Sequence, residues 1–333
     1  MSFIYVTEEG ARINKRGGRI IIGRGNETVF EIPLEKIEGI VLIDSVQVTS
    51  QAISEFLRQE IPVTWLSGQG KFFGRLEPTT HVNVHKQFAQ IQLFDDPLFH
   101  IKIAKKLVLA KTHNQLTLLR RYERNSANSD CFEMGIKNII SVRKNLFQAA
   151  SLEEIMGFEG YIARCYFQVL GNVIDENFRF ERRSKRPPKD AFNSMLSFGY
   201  TLLMYEIHTA IVNSGLHPYF GFLHSLHNGH PALAFDLMEE WRAVLIDSMV
   251  LSLIQHHEVK IEDFSNNGEE EGVYMSRECR SIFIRSYSKK LGMTNKYLEK
   301  KQSFRESINL QVELFAKAIV NKDPDIYEPF TIR

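Results

Sequence analysis

The hydrophobic period of this 333-residue chain changes near residue 80, and that change limits the fold more than any other feature. Before it, apolar residues come in short β-branched runs. Beyond it, they recur at the three- and four-residue intervals of a helix face. Side chains alternate across a strand but wind around a helix, so the two periods cannot share one element. The chain must therefore build a strand-rich part first and a helical part second.

In the first part, Arg19–Ile22 and Val29–Ile32 are joined by Gly23-Arg24-Gly25-Asn26, a hairpin signal. Ile40–Ile43, Val63–Leu66 and Phe72–Leu76 read as further strands, the last two separated by a turn at Gly68-Gln69-Gly70. Ser50–Leu57 reads as a helix with Ser50 as its cap and an apolar face of Ile53, Phe56 and Leu57, closed by Pro62. Residues 1–78 are expected to form a small β-rich N-terminal domain, and 79–96 a polar linker. Residues 97–333 are then a larger, mostly α-helical domain, which makes the fold class α+β. Helical patterning covers Pro97 to about Arg124, then 150–170, 193–213 and 232–256, with Asn213-Ser214-Gly215 as a stop signal. Val259–Ile261 and Val273–Met275 flank a polar turn over 266–272, a candidate late hairpin.

Composition narrows the class. With 41 basic and 40 acidic residues, the chain is no polycation, so any nucleic-acid affinity must come from local patches. Cys131, Cys165 and Cys279 have neither redox nor zinc spacing, and three cysteines make no disulfide framework. The N-terminus does not read as a signal peptide, and no apolar run approaches the roughly 20 residues needed to span a bilayer. A soluble, cytoplasmic protein without a membrane partner is expected.

Three stretches of the helical part hold polar residues that a core would not choose. Glu159 stands in Gly157-Phe158-Glu159-Gly160-Tyr161-Ile162, either as a solvated glutamate at a helix start or as a desolvated carboxylate needing a cation. His224 ends the run from Gly215 through Pro218 and Gly221, either as a core histidine or as a ligand. Asp236 and Glu239 are three residues apart, which puts both carboxylates on one helix face. A histidine nitrogen with carboxylate oxygens suits Mg²⁺ or Mn²⁺ better than structural zinc. A competing zinc cluster of His224, His227 and His230 lacks orienting carboxylates for the latter two.

Residues 177–189 carry six cations with Phe178 and Phe180 interleaved. Such a loop can grip phosphates and stack bases, or simply be solvated. Arg182, Arg183, Lys185 and Arg186 are its DNA-contact candidates, joined by Arg242 and by Lys289 and Lys290. The last two open a second basic run through Lys296, Lys300 and Lys301, which could equally be a solvated helix face.

Taken together, these residues resemble the CRISPR-associated Cas1 family over nearly the whole chain. The resemblance is carried by Thr49-Ser50-Gln51-Ala52, Ile61-Pro62-Val63, Ser67–Gly70 and Gly74-Arg75-Leu76. It continues with Lys111, Asn114 and Gln115, with Arg186–Asp190 followed by Asn193–Tyr200, and with the three acidic and histidine stretches in order. It implies that Glu159, His224 and Glu239 ligate the metal, with Asp236 an auxiliary acid beside the site; Glu239 is preferred to Glu240 for its spacing from Asp236. It also implies a homodimer formed through the β-rich domain, and two such dimers flanking a Cas2 dimer in a hetero-hexamer. The implied reaction is spacer acquisition in antiviral defence. A prespacer 3′-hydroxyl attacks a phosphodiester at the CRISPR leader-repeat boundary, and water in its place gives nicking. The alternatives are a casposon-type transposase, a catalytically silent DNA-binding scaffold, and a zinc-stabilised interaction protein.

Overall fold

The structure, a computed structural model, describes residues 2–25, 27–123, 129–266 and 272–332. It divides into two compact units, Met1–Val82 and Asn83–Arg333. The first holds β1 (Ser2–Val6), β2 (Arg12–Arg16), β3 (Arg19–Arg24), β4 (Glu27–Pro33), β5 (Ile37–Ile43) and β6 (Gln47–Val48). Helix α1 (Ser50–Arg58), β7 (Val63–Leu66) and β8 (Phe72–Leu76) complete it.

These strands form two four-stranded sheets, ordered β1-β5-β7-β8 and β4-β3-β2-β6. β5 runs parallel to both β1 and β7. It is buried almost throughout, which explains its unbroken apolar run. β4 is an exposed edge, and its charged residues discourage further pairing. The cap of α1 is Thr49 and not Ser50, with Thr49 Oγ1 accepting from Ala52 N at 3.4 Å. The buried face is Ala52, Glu55 and Phe56, while Leu57 is 39% exposed. One residue of offset turns a helix by about 100°, enough to move Leu57 off the core. The buried Glu55 carboxylate is held by Lys15 and Arg58, each at 2.6 Å.

The second unit opens with α2 (Val84–Phe94), so the stretch expected to be a linker contains an 11-residue helix. Asn83 caps it, and Gln90 binds the carbonyls of His217 and Phe220 at 2.9 and 2.7 Å. Those long-range bonds give a weakly patterned segment its order. There follow α3 (Pro97–Glu123), α4 (Ser129–Leu146), α5 (Leu152–Leu170), α6 (Ala191–Asn213) and α7 (Ala232–Trp241). A six-residue π-helical turn, Arg242–Asp247, joins α7 to α8 (Ser248–Gln255).

α6 is buried nearly all round, as a central helix must be. Its Gly199 lets the π turn approach, since a Cβ there would lie 2.6 Å from Ile246 Cγ2. The late hairpin pairs β9 (Phe264–Asn266) with β10 (Val273–Met275). Its first strand starts later than expected because Ile261–Asp263 forms a 3₁₀ turn. The expected turn residues 267–271 lie outside the described residues, as do Asn26 of the first hairpin and Arg124 at the end of the first long helix. α9 (Arg277–Gly292) ends in Lys289 and Lys290, whereas Lys296, Lys300 and Lys301 sit on a hairpin of β11 (Thr294–Tyr297) and β12 (Lys300–Ser303). The second basic run is therefore not one helix face. α10 (Phe304–Asn321) precedes the C-terminal segment. Among the described residues, no helix is long and apolar enough to cross a membrane.

Candidate active site

Glu159 lies in the middle of α5, with Gly157 and Gly160 inside the same helix, so it is not a helix-start glutamate. It faces a cavity of about 1080 Å³ that His224 and Glu239 also line. Between the two glutamates stands Lys111 of α3, its ammonium in contact with Glu159 Oε1 and 2.6 Å from Glu239 Oε2. Burial alone would discharge this lysine, but Glu239 and then Glu159 keep its pKa above the usual value.

Glu239 is the most tightly held of these groups. Burial pushes its carboxyl up, yet Arg242, Lys111 and His224 outweigh burial and bring it down to about 2. Arg242 Nη2 lies 3.0 Å from Glu239 Oε1, one helical turn along, and His224 Nε2 lies 3.8 Å from the same oxygen. Its neighbour Glu240 is turned away from the cavity. Glu240 accepts from Tyr327 Oη at 2.6 Å, Gln311 Nε2 at 2.8 Å and Phe330 N at 2.7 Å.

Asp236 has no exposed surface and does not line the cavity. Its Oδ2 accepts from the backbone of Phe222 and Leu223, and its Oδ1 from the backbone N–H of His224 at 3.0 Å. The same Oδ1 is 2.7 Å from His224 Nδ1. The carboxylate therefore folds the His224 loop and fixes its imidazole, leaving Nε2 to face Glu239. Burial lowers the His224 pKa, but the Asp236 hydrogen bond and charge raise it above the histidine norm. Gly221 permits this arrangement, because a Cβ there would lie 2.5 Å from Asp236 Oδ2. The other two histidines of the triplet are arranged differently, and His230 stacks on Phe235 at 4.3 Å and 6°.

The basic loop borders the same cavity through Arg182, Arg183 and Lys185. Arg182 and Lys185 are exposed. Although Lys185 as a whole is exposed, partial desolvation of its ammonium at the cavity, followed by repulsion from Arg242, pulls it below its usual value. Arg183 instead turns inward, with Nη1 donating to Asn193 Oδ1 at 2.7 Å and Nη2 to Ser197 Oγ at 3.1 Å. Arg186 is exposed but does not line the cavity. Phe178 is buried, and Phe180 stacks on Phe192 at 4.7 Å, so both rings pack against protein. Arg242 is committed to Glu239. Lys289 and Lys290 lie outside the cavity lining, and Lys290 sits 5.7 Å from the Phe304 ring centroid.

The cavity floor escaped sequence reasoning. Two guanidiniums lie over the Tyr200 ring, Arg242 at 4.7 Å and Arg183 at 5.4 Å from its centroid. Its hydroxyl donates to Asp247 Oδ1 at 2.5 Å, and Tyr166 donates to Oδ2 at 2.7 Å. Burial outweighs both hydrogen bonds and lifts the Asp247 carboxyl to about 6. This network ties α5, α6 and the π turn together in the wall of the cavity that Glu159 and Glu239 also line. One available signal was Lys111, a charged residue three and four places from Val108 and Leu107 on the buried stripe of α3.

The donor set fits a divalent cation of the magnesium or manganese class. It offers two carboxylates and an imidazole Nε2 with its ring fixed from behind. Glu239 Oε2 is buried with no directed hydrogen bond among the described residues, despite the nearby ammonium. Among those residues, no three His, Cys, Asp or Glu side chains stand close enough to form a ready-made ligand set.

Known proteins place the chain. The family described as CRISPR associated protein Cas1 matches residues 4–289. The CRISPR-associated endonuclease Cas1 3 of Thermus thermophilus is 33% identical over 335 residues, covering 99% of this chain and 97% of that protein. Among solved structures, a chain of a Cas6-RT-Cas1–Cas2 complex superposes with a TM-score of 0.87 at 24% identity, covering 100% of this chain and 36% of that one. A casposase bound to integration product gives 0.84 at 24% identity, covering 100% and 96%. The two structures share this fold, and the family match spans most of the sequence. The chain belongs to the CRISPR-associated Cas1 family.

Proposed function

We propose that the protein is a divalent-metal-dependent DNA endonuclease and integrase of CRISPR adaptation, joining prespacer 3′-hydroxyl ends to the CRISPR repeat. The observation that carries this reading is the convergence of Glu159, Glu239 and His224 Nε2 on one cavity bordered by Arg182 and Lys185. The relative's endonuclease name, and the Cas2 complex and casposase among structures of this fold, support it.

Glu159, Glu239 and His224 Nε2 would hold Mg²⁺ or Mn²⁺. When bound, such an ion polarises a phosphate and lowers the pKa of an attacking hydroxyl or water. Asp236 fixes the imidazole so that Nε2 presents its lone pair without a conformational search. Arg242 pins Glu239 in its rotamer and keeps it ionised. Arg182 and Lys185 attract DNA phosphates to the cavity mouth, while Arg183 holds the loop onto α6 through Asn193 and Ser197. A homodimer, and its assembly with Cas2 into a hetero-hexamer in the cytoplasm, belong to the same reading.

The test incubates the protein with Mn²⁺, its Cas2 partner, a short duplex with free 3′-hydroxyls and a supercoiled CRISPR plasmid. Covalent joining that His224→Ala abolishes, in a variant that still folds, is the expected result. Joining at the wild-type rate would refute the site, and unfolding of the variant would make His224 a core residue. The likeness to a casposase favours a second reading, a transposase of that type. Joining that proceeds fully without Cas2 would select it.

A further inference from the structure

Two features of α3 find no use in the reading above. Lys111 places a full positive charge on the oxygens that a divalent cation would need, touching Glu159 Oε1 and lying 2.6 Å from Glu239 Oε2. One turn along the same helix, Gln115 also lines the cavity, and its Oε1 is buried with no hydrogen-bond partner among the described residues. An unsatisfied buried carbonyl destabilises the fold, so a chain keeping one beside its site needs a reason for it.

We propose that Lys111 is a standing competitor for the divalent cation, and that cation binding drives its ammonium off the two glutamates and onto Gln115 Oε1. This inference rests on the functional reading above. Residues four apart on a helix are neighbours on one face, and a lysine stem has the rotatable bonds to reach from one partner to the other. With Arg242 held on Glu239 as well, the glutamate pair is already balanced, so the exchange rests on charge density: a divalent ion brings twice the charge of the ammonium to the shared oxygens and so displaces it. Departure of the ammonium gives up its hydrogen bond to Glu159 Oε1 and, at the buried Glu239 Oε2, mainly Coulomb attraction, and the incoming ion replaces both. Gln115 then offers the displaced ammonium an acceptor inside the cavity, where leaving it unpaired would be costly.

The consequence is a metal affinity set by α3 as well as by the ligands. Binding of Mn²⁺ to the full chain, followed by the electron paramagnetic resonance signal of free Mn²⁺, reads this without any DNA. Wild-type binding should be lost in His224→Ala. Lys111→Met, which keeps length and removes charge, should tighten the dissociation constant about tenfold or more. Gln115→Leu, which removes the unpaired carbonyl and so folds at least as well, should weaken it about tenfold.

Wild-type binding that is absent, or indifferent to His224→Ala, would overturn the functional reading and this inference with it. Binding that needs His224 but is unchanged or weakened in Lys111→Met would overturn the competition alone. Should Lys111→Met not fold, as circular dichroism would show, Gln115→Leu decides the matter. An unchanged dissociation constant in that variant overturns the transfer.

Discussion

Helix α7 presents two adjacent glutamates to two different regions, and they end in opposite states. Glu239 faces the cavity and Glu240 faces the packed side, where α10 and the C-terminal segment meet. Burial pushes both carboxyls up. At Glu239 the cations Arg242 and Lys111, with His224 beside them, reverse that push and hold the group down at about 2. Glu240 has no cation among the partners that shape it, only the Tyr327 hydroxyl, the Phe330 N–H and the Gln311 amide, and rises to about 8. Company, and not depth, decides whether a buried acid stays charged or keeps its proton.

The sharpest way to break this contrast is by activity. Glu239→Gln should lower metal-dependent nicking by roughly 100- to 1000-fold, the scale of a lost transition-state contact. Glu240→Gln keeps one donor and one acceptor of a neutral acid, and should stay within about twofold of wild type. Equal losses in the two variants, measured on one supercoiled plasmid, would erase the functional difference between the two faces.

The second effect lies in pH. Folded Glu240 keeps its proton up to about pH 8, while its ordinary value is 4.5. Its contribution to stability is therefore whole below about pH 4.5 and lost as pH rises through about 8. Glu240→Gln should match wild type near the bottom of that window and exceed it by roughly 2–4 kcal/mol at the top, in urea unfolding. Glu239 carries the opposite sign: its contribution is present above 4.5 and lost as pH falls through about 2. A pH-independent difference for Glu240→Gln would mean that this carboxyl is ionised in the fold.

Smaller again is Tyr327→Phe, which deletes the hydroxyl bound to Glu240 Oε1 and Gln311 Nε2. It should cost about 1–2 kcal/mol in the same unfolding assay and leave Mn²⁺ affinity alone. A change in that affinity would show that the packed side feeds into the cavity. The smallest expected effect belongs to Arg182→Ala at the cavity mouth. One lost phosphate contact should reduce the salt slope of DNA binding by about 0.9. An unchanged slope would place the DNA elsewhere.

The sequence was most readable where a local pattern is enough. Val63–Leu66 and Phe72–Leu76 match β7 and β8 end to end, since a β-branched run and an aromatic run on either side of a glycine turn are a local signal. α2, α4, α9 and α10 went unread. The first is ordered by Gln90 reaching across 127 residues, and no periodicity window sees such a bond. At the site, residue types and order pointed to Glu159, His224 and Glu239 facing one cavity. They could not show that Asp236 turns its oxygens onto a loop backbone, or that Arg183 is taken up by Asn193. Tyr200 entered only as the end of the block Asn193–Tyr200 and Asp247 was given no role, because only the packing of α5, α6 and the π turn brings the two into the cavity lining.

The π-helical turn between α7 and α8 has a consequence for angular phase. Glu239 and Asp247 are eight positions apart, and in an uninterrupted α-helix that spacing would separate their directions by about 80°. A π turn adds about one residue without advancing the winding, which brings the two back within about 20° of each other. Both line the same cavity. The rod from Ala232 to Gln255 is thus one residue longer than its winding requires, and that surplus residue sets Asp247 on the same side of the rod as Glu239.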